Sequence, residues 1–186
     1  MSGHSTTIKR YLADLGKVLE QFPKAQLEEI IAVLENAKEN GAHIFICGNG
    51  GSWATAAHMV CDFVKNTRAP QTKRMKVLGL GDNIPALTAY ANDEGYNQVF
   101  AEQIINFMKP ADVLIAISGS GNSPNILHAV KTANALNGIT IGLTGFKGGQ
   151  LKELVDHCLV VPSDSMEIVE DCHLIVDHLL TICLRK

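Results

Sequence analysis

The sequence predicts an α/β fold built on parallel strands, and it does so through three observations. Five short, nearly continuous apolar runs recur along the chain: HIFIC (43–47), KVLGL (76–80), DVLIAI (112–117), ITIGLT (139–144) and HCLVV (157–161). Segments of helical character separate them. Two of the runs end in glycine- and serine-rich turns that lead into helices. Strands that are apolar on both faces and alternate with helices belong to parallel sheets covered on both sides. Right-handed crossovers then bring the strand ends to one edge of the sheet, where open α/β sheets bind ligands.

The elements follow in order. Residues 6–20 read as an amphipathic helix that stops near Phe22-Pro23. Residues 24–40 form a second, with Leu27, Ile30, Ile31, Val33 and Leu34 as its apolar stripe and Gly41 as its C-terminal signal. Neither helix has a strand partner, so their apolar surface covers one face of the sheet or meets another subunit. The first strand runs into Cys47-Gly48-Asn49-Gly50-Gly51-Ser52, with a helix from about Trp53. Glycine lets the backbone approach an anion closely, and a helix start offers unpaired N–H groups, which makes Gly50, Gly51 and Ser52 candidate phosphate contacts. A tight connection with a serine cap is the alternative reading of this turn alone. A dinucleotide fingerprint would need glycine where Trp53 stands, and no G-K-[ST] motif occurs, so no nucleotide cofactor is expected.

The second turn, Ser118-Gly119-Ser120-Gly121-Asn122-Ser123-Pro124, follows the third run. Ser123 is placed as an N-cap with Pro124 at the first helical position. Ser118, Ser120 and Ser123 add hydroxyls to the backbone donors around Gly119 without adding positive charge, which suits a small phosphate. The closing helix, about 166–184, is apolar over much of its circumference through Ile168, Val169, Leu174, Ile175, Val176, Leu179, Leu180 and Ile182. Such a helix is buried in the core or in an oligomer interface.

Composition narrows the function classes. The chain has 186 residues, 46% hydrophobic and 19% charged, as expected of one compact globular domain. Aromatic residues are only 5%, so Ile, Leu, Val and Ala must build the core. A net charge of −3 gives no electrostatic reason to expect nucleic acid or an anionic membrane as partner. Five cysteines without a C-x-x-C pair read as reduced, buried thiols of a cytoplasmic protein. The N-terminus, MSGHSTTIKRYL, has no apolar stretch behind its charges, so no signal peptide is expected. No segment approaches the roughly 20 apolar residues of a membrane helix.

The pair GNGGS (48–52) and ISGSGNS (117–123), at this separation, resembles the sugar isomerase (SIS) domain. The segments ANDEGY (91–96), LTG-x-x-GG (143–149) and EDCHLIVDH (170–178), with His58 and His178, are similar to its phosphoheptose isomerase branch. The resemblance covers nearly the whole chain and implies one SIS domain over 1–186, with helices 6–40 contributing to oligomer packing. It implies a flavodoxin-like three-layer sandwich with a five-stranded parallel sheet. It further implies a homotetramer with active sites between subunits, converting sedoheptulose 7-phosphate to a heptose 7-phosphate for surface polysaccharide. Ser52, Ser118, Ser120 and Ser123 match the family's phosphate-binding serines, and Asn49 and Asp93 match polar residues of its sugar site. Zinc accompanies some members, so one Zn2+ per active site is the cofactor expectation.

His58 and Asp62 stand at i and i+4 on the helix after the first turn and share one face. The family carries His and Glu there. Glu170 and His178 lie on the closing helix, where the family has Gln and His. Eight residues separate their Cα atoms by about 12 Å, so they meet one ion only by leaning together or from different subunits. His58, Asp62, Glu170 and His178 would form a two-nitrogen, two-carboxylate set acceptable to zinc. Glu170 is also a substrate contact in this reading, or else a solvated carboxylate favoured by the helix dipole. His173 reads as a packing or interface residue. Aldose–ketose isomerisation through an enediol(ate) needs a base near C1 and C2 and an acid for the oxygens. Asp62 is the expected base and His178 its acid/base partner, with exchangeable roles. Two rivals remain: a non-catalytic SIS protein that binds a protein partner, and an isomerase of another phosphosugar.

Overall fold

The computed structural model describes residues 3–185, and positions 1, 2 and 186 of the expected 1–186 span lie outside the described residues. Two helices lead: α1 (Gly3–Glu20) and α2 (Lys24–Asn40). The first crossover follows, with β1 (His43–Gly48), α3 (Gly51–Lys65) and β2 (Lys76–Gly79). Next come α4 (Ile84–Asp93), a single 3₁₀ turn at Tyr96–Gln98, α5 (Ala101–Phe107) and β3 (Val113–Ile117). The chain continues with α6 (Pro124–Ala135), β4 (Ile139–Thr144), α7 (Leu151–Leu154), β5 (His157–Val160) and α8 (Met166–Leu184).

The five strands are parallel, in the order β2-β1-β3-β4-β5. This is the flavodoxin-like order, in which the direction of strand addition reverses between β1 and β3. Alternate residues of each strand feed opposite cores. Ile44, Ile46, Val113, Ile115, Ile141 and Leu143 pack with α2, α3 and α8 on one face. Phe45, Cys47, Leu114 and Ala116 pack with α5, α6 and Leu151 on the other. Each fully buried Ile, Leu or Phe adds about 1.5–3 kcal/mol to the folded state. The sheet is a layer between two helical layers, as its uninterrupted apolar strands predict.

Strand boundaries shift by a residue or so from the sequence reading. Asp112 stands just before β3 rather than within it. Its carboxylate accepts from His43 N–H at 2.7 Å and Lys109 N–H at 2.9 Å, tying the starts of β1 and β3. Gly41 takes the left-handed conformation after α2, at φ 67°, as expected of its position. The first helix begins three residues earlier than predicted, and α3 begins at Gly51 rather than Trp53.

The leading helices lie on the α3–α8 face. Val18 is the buried residue of α1, while Ile8 and Leu12 are exposed. Tyr11 Oη donates to Asp171 Oδ2 at 2.6 Å and ties α1 to α8. From α2, the buried Lys38 Nζ donates to Leu184 O at 2.8 Å, satisfying a carbonyl at the end of α8. On α8 itself Ile168, Val169, Val176 and Leu180 are buried, whereas Leu179 and Ile182 remain exposed. All five cysteines are free; Cys47 and Cys172 are buried, but Cys61 is exposed on α3, contrary to the expected uniform burial. Among the described residues no helix is long and apolar enough to cross a membrane.

Candidate active site

The strand register sets the first half of the site. Gly48 of β1 pairs with Ile117 of β3, so the turns that follow them emerge side by side at the point where strand order reverses. Together they line a cavity of about 290 Å³. Asn49, Gly50, Gly51, Ser52, Ser118, Gly119, Ser120, Ser123 and Glu170 all face it, joined by Ile117 and Met166. Among the described residues lining it none is lysine or arginine, so hydroxyls, backbone N–H groups and the starts of α3 and α6 must supply the attraction for an anion.

The serine turn has its shape imposed from behind. Gly121 sits at φ 66°, a conformation that disfavours a side chain, and a Cβ there would collide with the carbonyl of Gly148. Gly149 is equally confined: a Cβ on it would strike Ser120 O and Gly121. Gly145 N–H donates to Gly119 O and Leu151 N–H to Gly121 O, both at 2.9 Å. The LTG-x-x-GG run is therefore a brace, held against the serine turn by backbone contact. Ser123 occupies the N-cap position, but its hydroxyl makes no cap bond and instead accepts from Ser118 Oγ at 3.2 Å. Its expected capping role is thus corrected: the hydroxyl faces the cavity.

Asn49 is fixed by a reciprocal amide pair. Its Nδ2 donates to Asn125 Oδ1 and its Oδ1 accepts from Asn125 Nδ2, each at 2.9 Å, while Tyr96 Oη donates to the same Oδ1 at 2.9 Å. Asn125 and Tyr96 were not singled out from the sequence, although both lie in quoted motifs or directly beside one. Asp93 does not join them. It is exposed at the end of α4, where it accepts from Asn92 Nδ2 at 2.7 Å, and it does not line the cavity.

The second half of the site lies where α3 packs on α8. His58 and Asp62 share a face as predicted, with Nε2 and Oδ2 3.8 Å apart. Asn66, one turn further, donates to Asp62 Oδ1 at 2.7 Å and orients the carboxylate. From α8, His178 brings its Nε2 to 3.3 Å from His58 Nε2. The fourth member of this group is Asp177: one ligand atom each from His58, Asp62, Asp177 and His178 lies within 4.8 Å of the others. Glu170, expected there, is absent from the group. It stands seven residues before Asp177, two helical turns or about 10 Å away, against Gly51 in the serine cavity.

Asp177 is wholly buried, and neither carboxylate oxygen has a hydrogen-bond partner. Burial, reinforced by the charge of Asp62, pushes its carboxyl up to about 7. His173, one turn before it, is also fully buried with both ring nitrogens unpartnered, and burial pulls its pKa down to about 4. It packs in the core, as expected of it. Two imidazoles and two carboxylates, one of them uncompensated, form a donor set that fits zinc or a similar divalent ion.

Residues 10–145 match the SIS domain family model. The chain is 39% identical over 181 residues to the phosphoheptose isomerase of Helicobacter pylori, covering 96% of this chain and 93% of the relative. The solved phosphoheptose isomerase of Francisella tularensis superposes with a TM-score of 0.92 at 27% identity, covering 98% of both chains. That of Neisseria gonorrhoeae gives 0.90 at 27% identity, covering 97% of each.

Proposed function

The chain belongs to the SIS domain family and, within it, to the phosphoheptose isomerases; it is an aldose–ketose isomerase of phosphosugars, and we propose that it interconverts sedoheptulose 7-phosphate and a heptose 7-phosphate. The observation that carries the substrate class is the serine cavity at the strand-order reversal. Its donors are neutral and pre-shaped, as a phosphate anchor requires, and the His/Asp cluster on α3 and α8 supplies proton-transfer groups apart from it.

The anchor is assigned to Ser52, Ser118, Ser120 and Ser123 with the backbone of Gly50, Gly51 and Gly119. Asn49, held by Asn125 and Tyr96, presents a fixed amide to the sugar hydroxyls. Glu170 accepts hydrogen bonds from the same part of the substrate. Binding energy from the phosphate end positions C1 and C2 for reaction. Asp62 takes the proton from the reacting carbon, its other oxygen held by Asn66. His178 moves the proton at the substrate oxygens, and the two exchange roles for the reverse reaction. A divalent ion held by His58, Asp62 and His178 would polarise the substrate carbonyl. Asp93 belongs to the site only if a neighbouring subunit brings a sugar to the end of α4.

Exposed apolar residues on α1 and α8 support assembly into a homotetramer with sites between subunits, and the domain as a whole is read as one SIS unit over 1–186. A cytoplasmic location follows from the same reading. Incubating the protein with sedoheptulose 7-phosphate beside a panel of shorter ketose phosphates tests the assignment. Turnover of the heptulose alone is the expected result; turnover of another member in preference reassigns the substrate.

A further inference from the structure

We propose that Asn125, which does not line the serine cavity, is the positioning residue for both sides of the anchor: it frees the Ser123 hydroxyl and turns the Asn49 amide so that an N–H is offered to the ligand. The proposal deepens the isomerase reading and rests on it only for the identity of that ligand.

The first effect follows from how α6 begins. Ser123 is the N-cap, Pro124 is N1, Asn125 is N2 and Ile126 is N3. A serine N-cap ordinarily uses its hydroxyl to accept from the N–H of N2 or N3, donors left unpaired at a helix start. Here the Ile126 N–H donates instead to Asn125 Oδ1, at 3.0 Å. That donor is satisfied without Ser123, whose residue lines the cavity and whose hydroxyl accepts from Ser118 Oγ. Asn125 is a substitute cap, and it leaves both serines to an anion.

The second effect is one of polarity. A backbone N–H only donates, so Ile126 holds the oxygen of Asn125 on its own side. The same oxygen accepts from Asn49 Nδ2, and Asn125 Nδ2 donates to Asn49 Oδ1, each at 2.9 Å. Reversing Asn125 would set donor against donor, and reversing Asn49 would set oxygen against oxygen. Asn125 is buried, so water does not compete for the pair. Tyr96 Oη fills the second lone pair of Asn49 Oδ1. One hydrogen on Asn49 Nδ2 is then its single uncommitted polar group among the described residues. Asn49 borders the cavity, so it reads an acceptor oxygen of the ligand and does not accept from a substrate hydroxyl.

The test places Asn125→Ala in two full-length backgrounds, wild type and Asn49→Ala/Ser123→Ala. KM and kcat are measured with sedoheptulose 7-phosphate, and its Kd by calorimetry, with folding checked by circular dichroism. In wild type the substitution should raise KM and Kd about five- to fiftyfold, the product of two neutral hydrogen bonds, and leave kcat within about twofold. In the doubly substituted background it should change them less than about twofold, because nothing remains for Asn125 to position. An unchanged KM in wild type, an equal loss in both backgrounds, or a fall in kcat with KM unmoved would each overturn the proposal. A second measurement needs no change at 125. The Asn49 Nδ2 protons, assigned in NMR spectra by their loss in Asn49→Ala, should show one proton moving downfield as ligand is added. Movement with inorganic phosphate puts the acceptor on phosphate, movement with the phosphosugar alone puts it on the sugar, and movement with neither refutes the donor assignment. Binding with the expected dependence on Asn125, but no turnover of any phosphosugar, would sink the isomerase reading and leave the positioning role standing.

Discussion

The two halves of the site are built from opposite materials. At the strand-order reversal, two turns present hydroxyls and backbone N–H groups, hold no basic side chain, and take their shape from glycines packed against backbone. On α3 and α8 the groups are ionisable, belong to side chains, and meet only because two helices pack in one rotational phase. The first half is a mould, set by main-chain geometry before any ligand arrives. The second is an encounter of long-range partners. Damage to the mould should therefore appear as loss of binding and of folding, and damage to the encounter as loss of turnover in a folded protein.

The sharpest way to separate them begins with the encounter. Asp62→Asn and His178→Gln should each lower kcat by about 10²–10⁴-fold with little change in KM, measured on sedoheptulose 7-phosphate. Retained kcat in both would remove the chemistry from this cluster. Gly121→Ala should come next. Its positive φ and the Gly148 carbonyl leave no room for a methyl, so about 1–3 kcal/mol of stability should be lost by denaturant titration, with KM raised steeply. A variant as stable as wild type would show that the turn is softer than its contacts imply. Ser118→Ala and Ser123→Ala remove neutral hydrogen bonds and should each cost about 0.5–1.5 kcal/mol, a KM increase of about two- to tenfold. If they depress kcat instead, the anchor and the reacting end are not separable.

The last effect concerns acid stability. His173 stays neutral in the native state down to about pH 4, whereas in the unfolded chain it takes a proton near 6.5. The unfolded state thus binds more protons between these values, so this group's stabilisation is complete above about 6.5 and is lost as pH falls toward 4. His173→Leu should flatten that part of the Tm–pH profile. An unchanged slope would assign the acid limb to other groups.

The same contrast explains what could be read from the amino-acid order. The parallel sheet, its strands and both turns were legible because each leaves a local mark: unbroken apolar runs, glycines at a strand end, serines before Pro124. The brace by residues 145–149 was visible as a motif but not as a support, since nothing local says which backbone it touches. Asn125 was overlooked because an asparagine at a helix start looks like surface. The Glu170 expectation came from family correspondence, and the structure places that side chain beside Gly51. Asp177 stands next to His178 in the sequence, yet only the rotation of α8 against α3 shows that it faces inward. Helix phase in a mutually packed pair is a tertiary property, and apolar residues all round α8 hid it.

One consequence concerns how such a pocket could be re-targeted. The serine turn and the stretch from Gly145 to Leu151 are locked together by two main-chain hydrogen bonds and by facing glycines. They behave as a single exchangeable cassette, although about two dozen residues separate their starts. Grafting a new 118–123 segment alone would import one jaw of a clamp without its counterpart. Library design or transfer of specificity between related scaffolds should move both loops at once and leave α6 and β4 between them untouched.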